Sequence, residues 1–262
     1  MKTVPFDAIA FDYDILFTET KLGRYLRGIV WRRLKENIAA NHFVLELNCG
    51  TGEDAIWLAK RGCRVAATDV SSEMLALASR KARSHGLQER VGVHLLDLEK
   101  PVLEIDHGKF DCVFSNFGGL NCVEDLEPIA SYLTAKIKAN GRLVLVIMGR
   151  WCLWEMVWHL LHGEIRTAFR RFSSNGVDVK LRNSTIRVWY PSLKDIQRRF
   201  GVFFTLKKIT GLGLFLPPTY LAGVVSDRPL LWKLLVRLER TFSGLYPFRY
   251  FADHLILEYE HS

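Results

Sequence analysis

The sequence predicts an α/β fold built on an open, mostly parallel sheet with helices on both faces. Three observations carry that expectation. An apolar run, Val44-Leu45-Glu46-Leu47, leads through Asn48 and Cys49 into two close glycines, Gly50 and Gly52, and then into acids that open a helical pattern at Glu53-Asp54. Seventeen residues past Gly52, a second strand-like run from Arg64 to Thr68 ends at Asp69, followed by Val70 and the helix-start signal Ser71-Ser72-Glu73. Apolar runs and helical segments continue to alternate beyond it, the pattern of parallel strands joined by crossover helices.

The elements follow in order. A buried strand that runs into a glycine turn and a helix N-terminus sets unpaired backbone N–H groups, with no side-chain bulk, against a ligand above the strand end. That is the geometry of a nucleotide-type pocket. A carboxylate at the tip of the second strand, here Asp69, can accept from the hydroxyls of a ribose, each charge-assisted bond being worth roughly 1.5 to 3 kcal/mol. A third strand, Val91 to Leu96, precedes Asp97-Leu98, and a fourth, Phe110 to Phe114, precedes Ser115-Asn116-Phe117. Leu126 to Lys138 reads as a helix ended by Asn140-Gly141, and Leu143 to Met148 as the fifth strand. Next come a tryptophan-rich helix from Trp151 to His162 and a hairpin, Val177 to Leu181 with Thr185 to Tyr190, that reads as a lid. Pro191-Ser192 starts a helix to Phe200, Val202 to Lys208 is the sixth strand, and His254 to Tyr259 closes the sheet. Between the last two lies a basic amphipathic helix, Arg228 to Arg240.

Two ligand classes fit the first turn. The nicotinamide fingerprint G-x-G-x-x-G would start where this chain has Asn48 and Gly50, and its third glycine is missing. The pattern Glu46-x-Asn48-x-Gly50-x-Gly52 resembles the first motif of class I S-adenosylmethionine-dependent methyltransferases, Glu/Asp-x-Gly-x-Gly-x-Gly, with Asn48 in place of the first glycine. Asn tolerates left-handed backbone angles better than other non-glycine residues. The resemblance spans roughly residues 6 to 149 and resumes for the final helix and two strands.

The resemblance implies a Rossmann-like, seven-stranded methyltransferase sheet whose last strand is antiparallel, and S-adenosyl-L-methionine as cofactor. It implies a single domain in which 1–149 bind the cofactor and 192–210 with 253–262 complete the sheet, while 150–191 and 211–252 form a cap. The cofactor site would comprise Glu46, Asn48, Cys49, Gly50, Gly52, Asp69, Val70, Met74, Asp97, Leu98, Ser115 and Asn116. The N-terminal stretch Phe11 to Arg24 looks like the entry helix of the small-molecule branch that includes the quinone methyltransferases. There a tyrosine covers the cofactor and polar neighbours meet its carboxylate: Tyr13 matches, and Thr18 and Arg24 are candidates.

Trp151, Trp154 and Trp158 fall at i, i+3, i+7 directly after the fifth strand. They are expected, with Tyr13, Phe117, Asn121, Glu155 and the lid hairpin, to line an acceptor pocket, the alternative for the tryptophans being the packing face of a cap helix. On the same helix His159 and His162 are candidates for a general base, the alternative being a solvated polar face. No metal is expected, because a sulfonium carries its own leaving group. The implied chemistry is methyl transfer to a largely apolar small molecule at oxygen, nitrogen or carbon. A cofactor-binding relative without turnover, a membrane-surface module and a nicotinamide oxidoreductase are the other readings.

Composition agrees with one globular chain of 262 residues, 49% hydrophobic and 24% charged. Its five cysteines form no C-x-x-C pair and read as core thiols of a reducing compartment, Cys122 included. Neither a signal peptide nor a spanning helix is expected, since the most apolar stretch, Gly211 to Val225, is short and broken by Pro217-Pro218; a cytoplasmic protein follows. Residues 1–149 hold 19 Lys and Arg against 19 Asp and Glu, whereas residues 150–262 hold 17 against 9. The basic half suits an anionic membrane surface or an acidic substrate. Nucleic acid is disfavoured as a partner, because the fourth strand ends in Ser115-Asn116-Phe117 rather than the Pro-Pro-aromatic turn of base methyltransferases. The apolar leucines of the Arg228 to Arg240 helix either pack on the core or rest on a membrane.

Overall fold

The computed structural model describes residues 4–103 and 108–262. Five parallel strands, β1 (Phe43–Leu47), β2 (Arg64–Asp69), β3 (Val91–Leu95), β4 (Phe110–Ser115) and β5 (Ile137–Met148), form most of the sheet. The hairpin strands β6 (Val177–Leu181) and β7 (Ser184–Val188) stand apart as a two-stranded sheet. β8 (Phe204–Leu212) and β9 (His254–His261) finish the main sheet in the order β3-β2-β1-β4-β5-β9-β8, with β9 antiparallel to both neighbours. The strand order reverses between β1 and β4, and in open α/β sheets ligands bind outside the carboxyl ends of the strands at such a point.

Alternation along each strand builds two cores. Val44, Val65, Ala67, Cys112, Phe114 and Val144 face α1 (Lys21–Asn37), α2 (Glu53–Lys60) and α3 (Ser72–Ser84). Leu45, Leu47, Ala66, Val113, Leu143 and Leu145 face α4 (Glu127–Lys136) on the other side, where Ile196 and Phe200 of a later helix, Leu193–Phe200, also pack. Period-2 geometry sends Glu46 to the same side as Val44, beneath α1. α3 is capped by Ser71, whose Oγ accepts from the Met74 amide at 3.1 Å.

The segments on either side of the Leu193–Phe200 helix and β8 hold α5 (Leu153–Leu161), the single turns α6 (Ile165–Ala168) and α8 (Gly223–Ser226), and α9 (Pro229–Phe242); α7 is the Leu193–Phe200 helix, which opens with a Ser192/Asp195 capping box. No helix of the described residues is long and apolar enough to cross a membrane.

Several expected boundaries move. α4 stops at Lys136, and β5 already begins at Ile137, which is fully buried and pairs with Phe110. Asn140-Gly141 therefore lies inside the strand, Asn140 at φ +61° taking up the register shift between Phe110 and Cys112. A turn dipeptide served as a bulge. β8 starts at Phe204, because Val202 points to solvent. The N-terminal stretch is not one helix: 3-10 turns (Pro5–Asp12) and a π turn (Asp14–Thr18) precede α1, which Thr20 caps by accepting from the Gly23 amide at 2.9 Å. α5 starts after Trp151, at Leu153.

Candidate active site

At the carboxyl ends of the parallel strands lies a cavity of about 640 Å3, bounded by the glycine turn, the tips of β2 and β4, the N-terminal strap and the β6–β7 hairpin. The turn is made of left-handed residues, Asn48 (φ +50°), Gly50 (+55°) and Gly52 (+80°). At Gly52 a Cβ would stand 2.8 Å from the Ala78 Cβ, so only glycine lets α3 pack this close.

Asn48 does what a glycine cannot. Its amide donates to the Asn116 carbonyl at 2.8 Å and its Oδ1 accepts from the Ser115 hydroxyl at 2.7 Å. The turns after β1 and β4 are thereby joined by a side chain. Ser115 is spent on that bond and is fully buried behind the cavity wall, while Asn116 lines it.

Asp69 closes β2 with its Oδ2 accepting from the Gly50 amide and its Oδ1 from the Ser71 amide, both at 2.9 Å. Burial raises its pKa above the ordinary carboxylate value, against the pull of those N–H groups. Cys49, Val70, Met74, Asp97 and Leu98 continue the wall on the same side. Tyr13 closes it from above, its phenol pushed up to about 12 by burial. The strap carrying Tyr13 is clamped by Asp14, which accepts from Thr51 Oγ1 at 2.7 Å and from Lys81 Nζ at 2.9 Å.

Beneath Tyr13 lies a buried polar cluster. Arg27 of α1 pairs with Asp54 of α2, which also accepts from Trp31 Nε1 at 2.6 Å and Asn116 Nδ2 at 2.8 Å. The Arg27 guanidinium lies 5.0 Å from the Phe117 ring and 5.5 Å from the Phe17 ring. Arg27 Nε and Glu46 Oε2 are buried with no hydrogen-bond partner among the described residues. Burial, with the Asp54 charge next, holds Glu46 well above the usual carboxylate range. Of the two, Arg27 lines the cavity, and a donor left open there suits a ligand that brings a carboxylate.

The hairpin supplies an apolar roof, with Val179, Leu181, Ile186 and Val188 facing Phe117, Cys122, Val123 and Met148 across the cavity. It is tied to the strap by Ser184 Oγ donating to the Pro5 carbonyl at 2.9 Å and by the Arg182–Asp12 ion pair. Burial pushes the Cys122 thiol up to about 12, so it is no thiolate nucleophile at neutral pH.

Several expected site residues lie elsewhere. Arg24 is exposed and off the cavity; Arg27, nearly one turn on, takes the buried place. Thr18 is buried outside the lining, and so is Glu46, which reaches the site through the Arg27 cluster. The tryptophan stripe does not line the cavity either. Trp151 packs on Phe172, Trp154 donates to the Phe215 carbonyl at 2.5 Å, and Trp158 stacks on His162. Glu155 is buried between Arg170 and Arg171, whose charges outweigh burial and lower its pKa. Asn121 spends its amide on Met148 and on the Trp189 carbonyl. His159 bonds Glu164 and His162 its own helix, both away from the cavity.

Arg27 and Asp54 escaped the sequence reading, which expected the hairpin as a lid without naming the residues it sends to the cavity. The available signal was a cation inside the apolar stripe Leu22, Leu26, Ile29, Val30, Leu34, where an unpaired charge would be costly.

Residues 44–141 match the methyltransferase domain family. Demethylmenaquinone methyltransferase of Thermus thermophilus is 35% identical over 146 residues, which cover 54% of this chain and 63% of that protein, so the chain spans less than two thirds of that relative. A solved S-adenosylmethionine-dependent methyltransferase from Listeria monocytogenes superposes with a TM-score of 0.61 at 16% identity, over 88% of this chain and 96% of its own. Geranyl diphosphate C-methyltransferase from Streptomyces coelicolor, solved with S-adenosyl-L-homocysteine, superposes with a TM-score of 0.58 at 15% identity, over 91% and 80%. At such identities the likeness to solved structures is one of fold.

Proposed function

We propose that the chain is a class I S-adenosylmethionine-dependent methyltransferase that transfers a methyl group from S-adenosylmethionine to a largely apolar small molecule. The reading takes the chain as one domain, with 150–191 and 211–252 as a cap on the sheet.

What supports it most directly is the Asp69 carboxylate, held on the cavity wall by the Gly50 and Ser71 amides. Its remaining lone pairs suit the hydroxyls of a ribose. Asp97 and Leu98 would flank an adenine, Tyr13 would cover the ligand, and Arg27 Nε would meet the carboxylate of its amino-acid end. When bound, S-adenosylmethionine supplies a methyl carbon activated by its sulfonium.

The acceptor would lie under the apolar roof of Leu181, Ile186 and Val188, against Cys122 and Met148. Neither Cys122 nor Tyr13, both pushed up to about 12, is a base at neutral pH, so the chain would act by alignment and by excluding water. Good alignment alone is worth effective molarities of order 10⁵ M or more. The name of the Thermus relative makes demethylmenaquinone the first acceptor to try. Incubation with tritiated S-adenosylmethionine and fractionated lipid extract tests the reading: label in an apolar product supports it, and label in no fraction despite cofactor binding counts against turnover.

A further inference from the structure

α9 has an exposed face that the proposed reaction does not use. Leu235 is buried, and Leu231 and Trp232 pack on the core beside it. Leu230 and Leu234 point outward, 80% and 53% exposed. Around them stand Arg228, Lys233 and Arg237, all exposed and in no ion pair among the described residues. On β5 and β8, Lys138, Lys207 and Lys208 do pair, with Asp111, Glu260 and Glu36. Glu239, the one acid on α9, is turned inward, its carboxylate accepting from the Gly213 and Phe215 amides at 2.9 and 2.8 Å. Asp227, just before the helix, is the single exposed acid of this stretch.

The face lies beside the cavity's cover. Lys21, at the start of α1, donates to the Ser226 carbonyl at 3.3 Å and sits 4.5 Å over the Trp232 ring, three residues after the strap ends at Thr18.

We propose that this face docks on an anionic phospholipid bilayer, Leu230 and Leu234 entering the interface while Arg228, Lys233 and Arg237 meet lipid phosphates. A helix with apolar and cationic side chains interleaved on its outer face suits that surface. A second copy of the chain suits it poorly, because a two-fold contact would set the same three cations against one another. The docking stands by itself; its use, collecting a lipid-soluble acceptor, rests on the methyltransferase reading.

The test is co-sedimentation of the full chain with phosphatidylcholine vesicles, with and without phosphatidylglycerol. The chain is expected to pellet with the anionic vesicles at low salt and to stay in solution with the neutral ones. Combined Arg228→Glu, Lys233→Glu and Arg237→Glu should weaken partition by about a hundred-fold or more, and Leu230→Ser with Leu234→Ser should weaken it too. S-Adenosylhomocysteine titration of every variant reports folding and the cofactor site. Its failure in the wild type would speak against the methyltransferase reading and leave the vesicle result standing. No pelleting with anionic vesicles at low salt, undiminished pelleting of the charge-reversed chain, or a lipid-free dimer that the serine variants dissociate would overturn the proposal.

Discussion

The Gly50 amide donates to the Asp69 carboxylate at 2.9 Å, so the acid that ends β2 is tied to the glycine turn that ends β1. One side chain both shapes the turn and lines the cavity. Removing it would remove the proposed ribose contact and leave the Gly50 and Ser71 amides to find other partners.

Asp69→Ala should therefore weaken S-adenosylhomocysteine binding by roughly 2 to 4 kcal/mol, the loss of a charge-assisted pair of hydrogen bonds. Calorimetric titration measures it, with circular dichroism to show that the fold persists. Affinity within a few-fold of wild type would mean that Asp69 only braces the turn.

Asn48→Gly restores the usual family residue and tests the bridge between the two turns. The left-handed φ becomes easier, but Ser115 and the Asn116 carbonyl lose their partner. The lost bonds outweigh the relief, so unfolding free energy should fall by about 1 to 2 kcal/mol in urea denaturation. A more stable variant would show that backbone strain at Asn48 dominates.

Roof and cap should separate in kinetics. Ile186→Ala should raise the acceptor's KM several-fold and leave S-adenosylhomocysteine affinity unchanged, because Ile186 lines the part of the cavity proposed for the acceptor. Trp154→Ala should instead cost about 2 to 4 kcal/mol of stability with no selective change in KM, since Trp154 is held against Phe215 and the core. A KM effect confined to Trp154→Ala would reverse these roles.

The strands of the sheet were legible because each announces itself by an apolar run and each turn by a glycine or an acid, whereas the reversed strand followed only from the family resemblance. Gly50, Asp69, Asp97 and Asn116 lie at such ends, and a strand end is fixed by the chain next to it. The hairpin was legible as a lid, but the partners of the tryptophan helix were not. Whether Trp154 faces a cavity or a neighbouring loop depends on where residues 211–252 return, and no local periodicity encodes that. Arg24 and Arg27 differ by less than one helical turn, and only the packing of α1 on α2 decides which meets Asp54. The Asn140-Gly141 pair likewise carries a turn signal that the buried pairing of Ile137 with Phe110 overrides.

Glu46 gives a pH dependence with a definite sign. Burial raises its pKa well above 4.5, so the folded chain binds that proton more tightly than the unfolded one. Its contribution to stability is complete below the ordinary carboxylate value and is lost as pH rises toward the folded value. Glu46→Gln removes this dependence. Urea denaturation at roughly pH 5 and pH 8 should show a larger fall in stability for the wild type than for the variant. Equal falls would mean that Glu46 is ionised in the folded state.

The central claim, that the cavity at the ends of β1 and β2 is a site for S-adenosylmethionine, is tested most directly by calorimetric titration of the unmodified chain with S-adenosylhomocysteine and, separately, with NADH. Saturable one-to-one binding of S-adenosylhomocysteine and no heat from NADH is the predicted result. Tight binding of NADH with none of S-adenosylhomocysteine would contradict it.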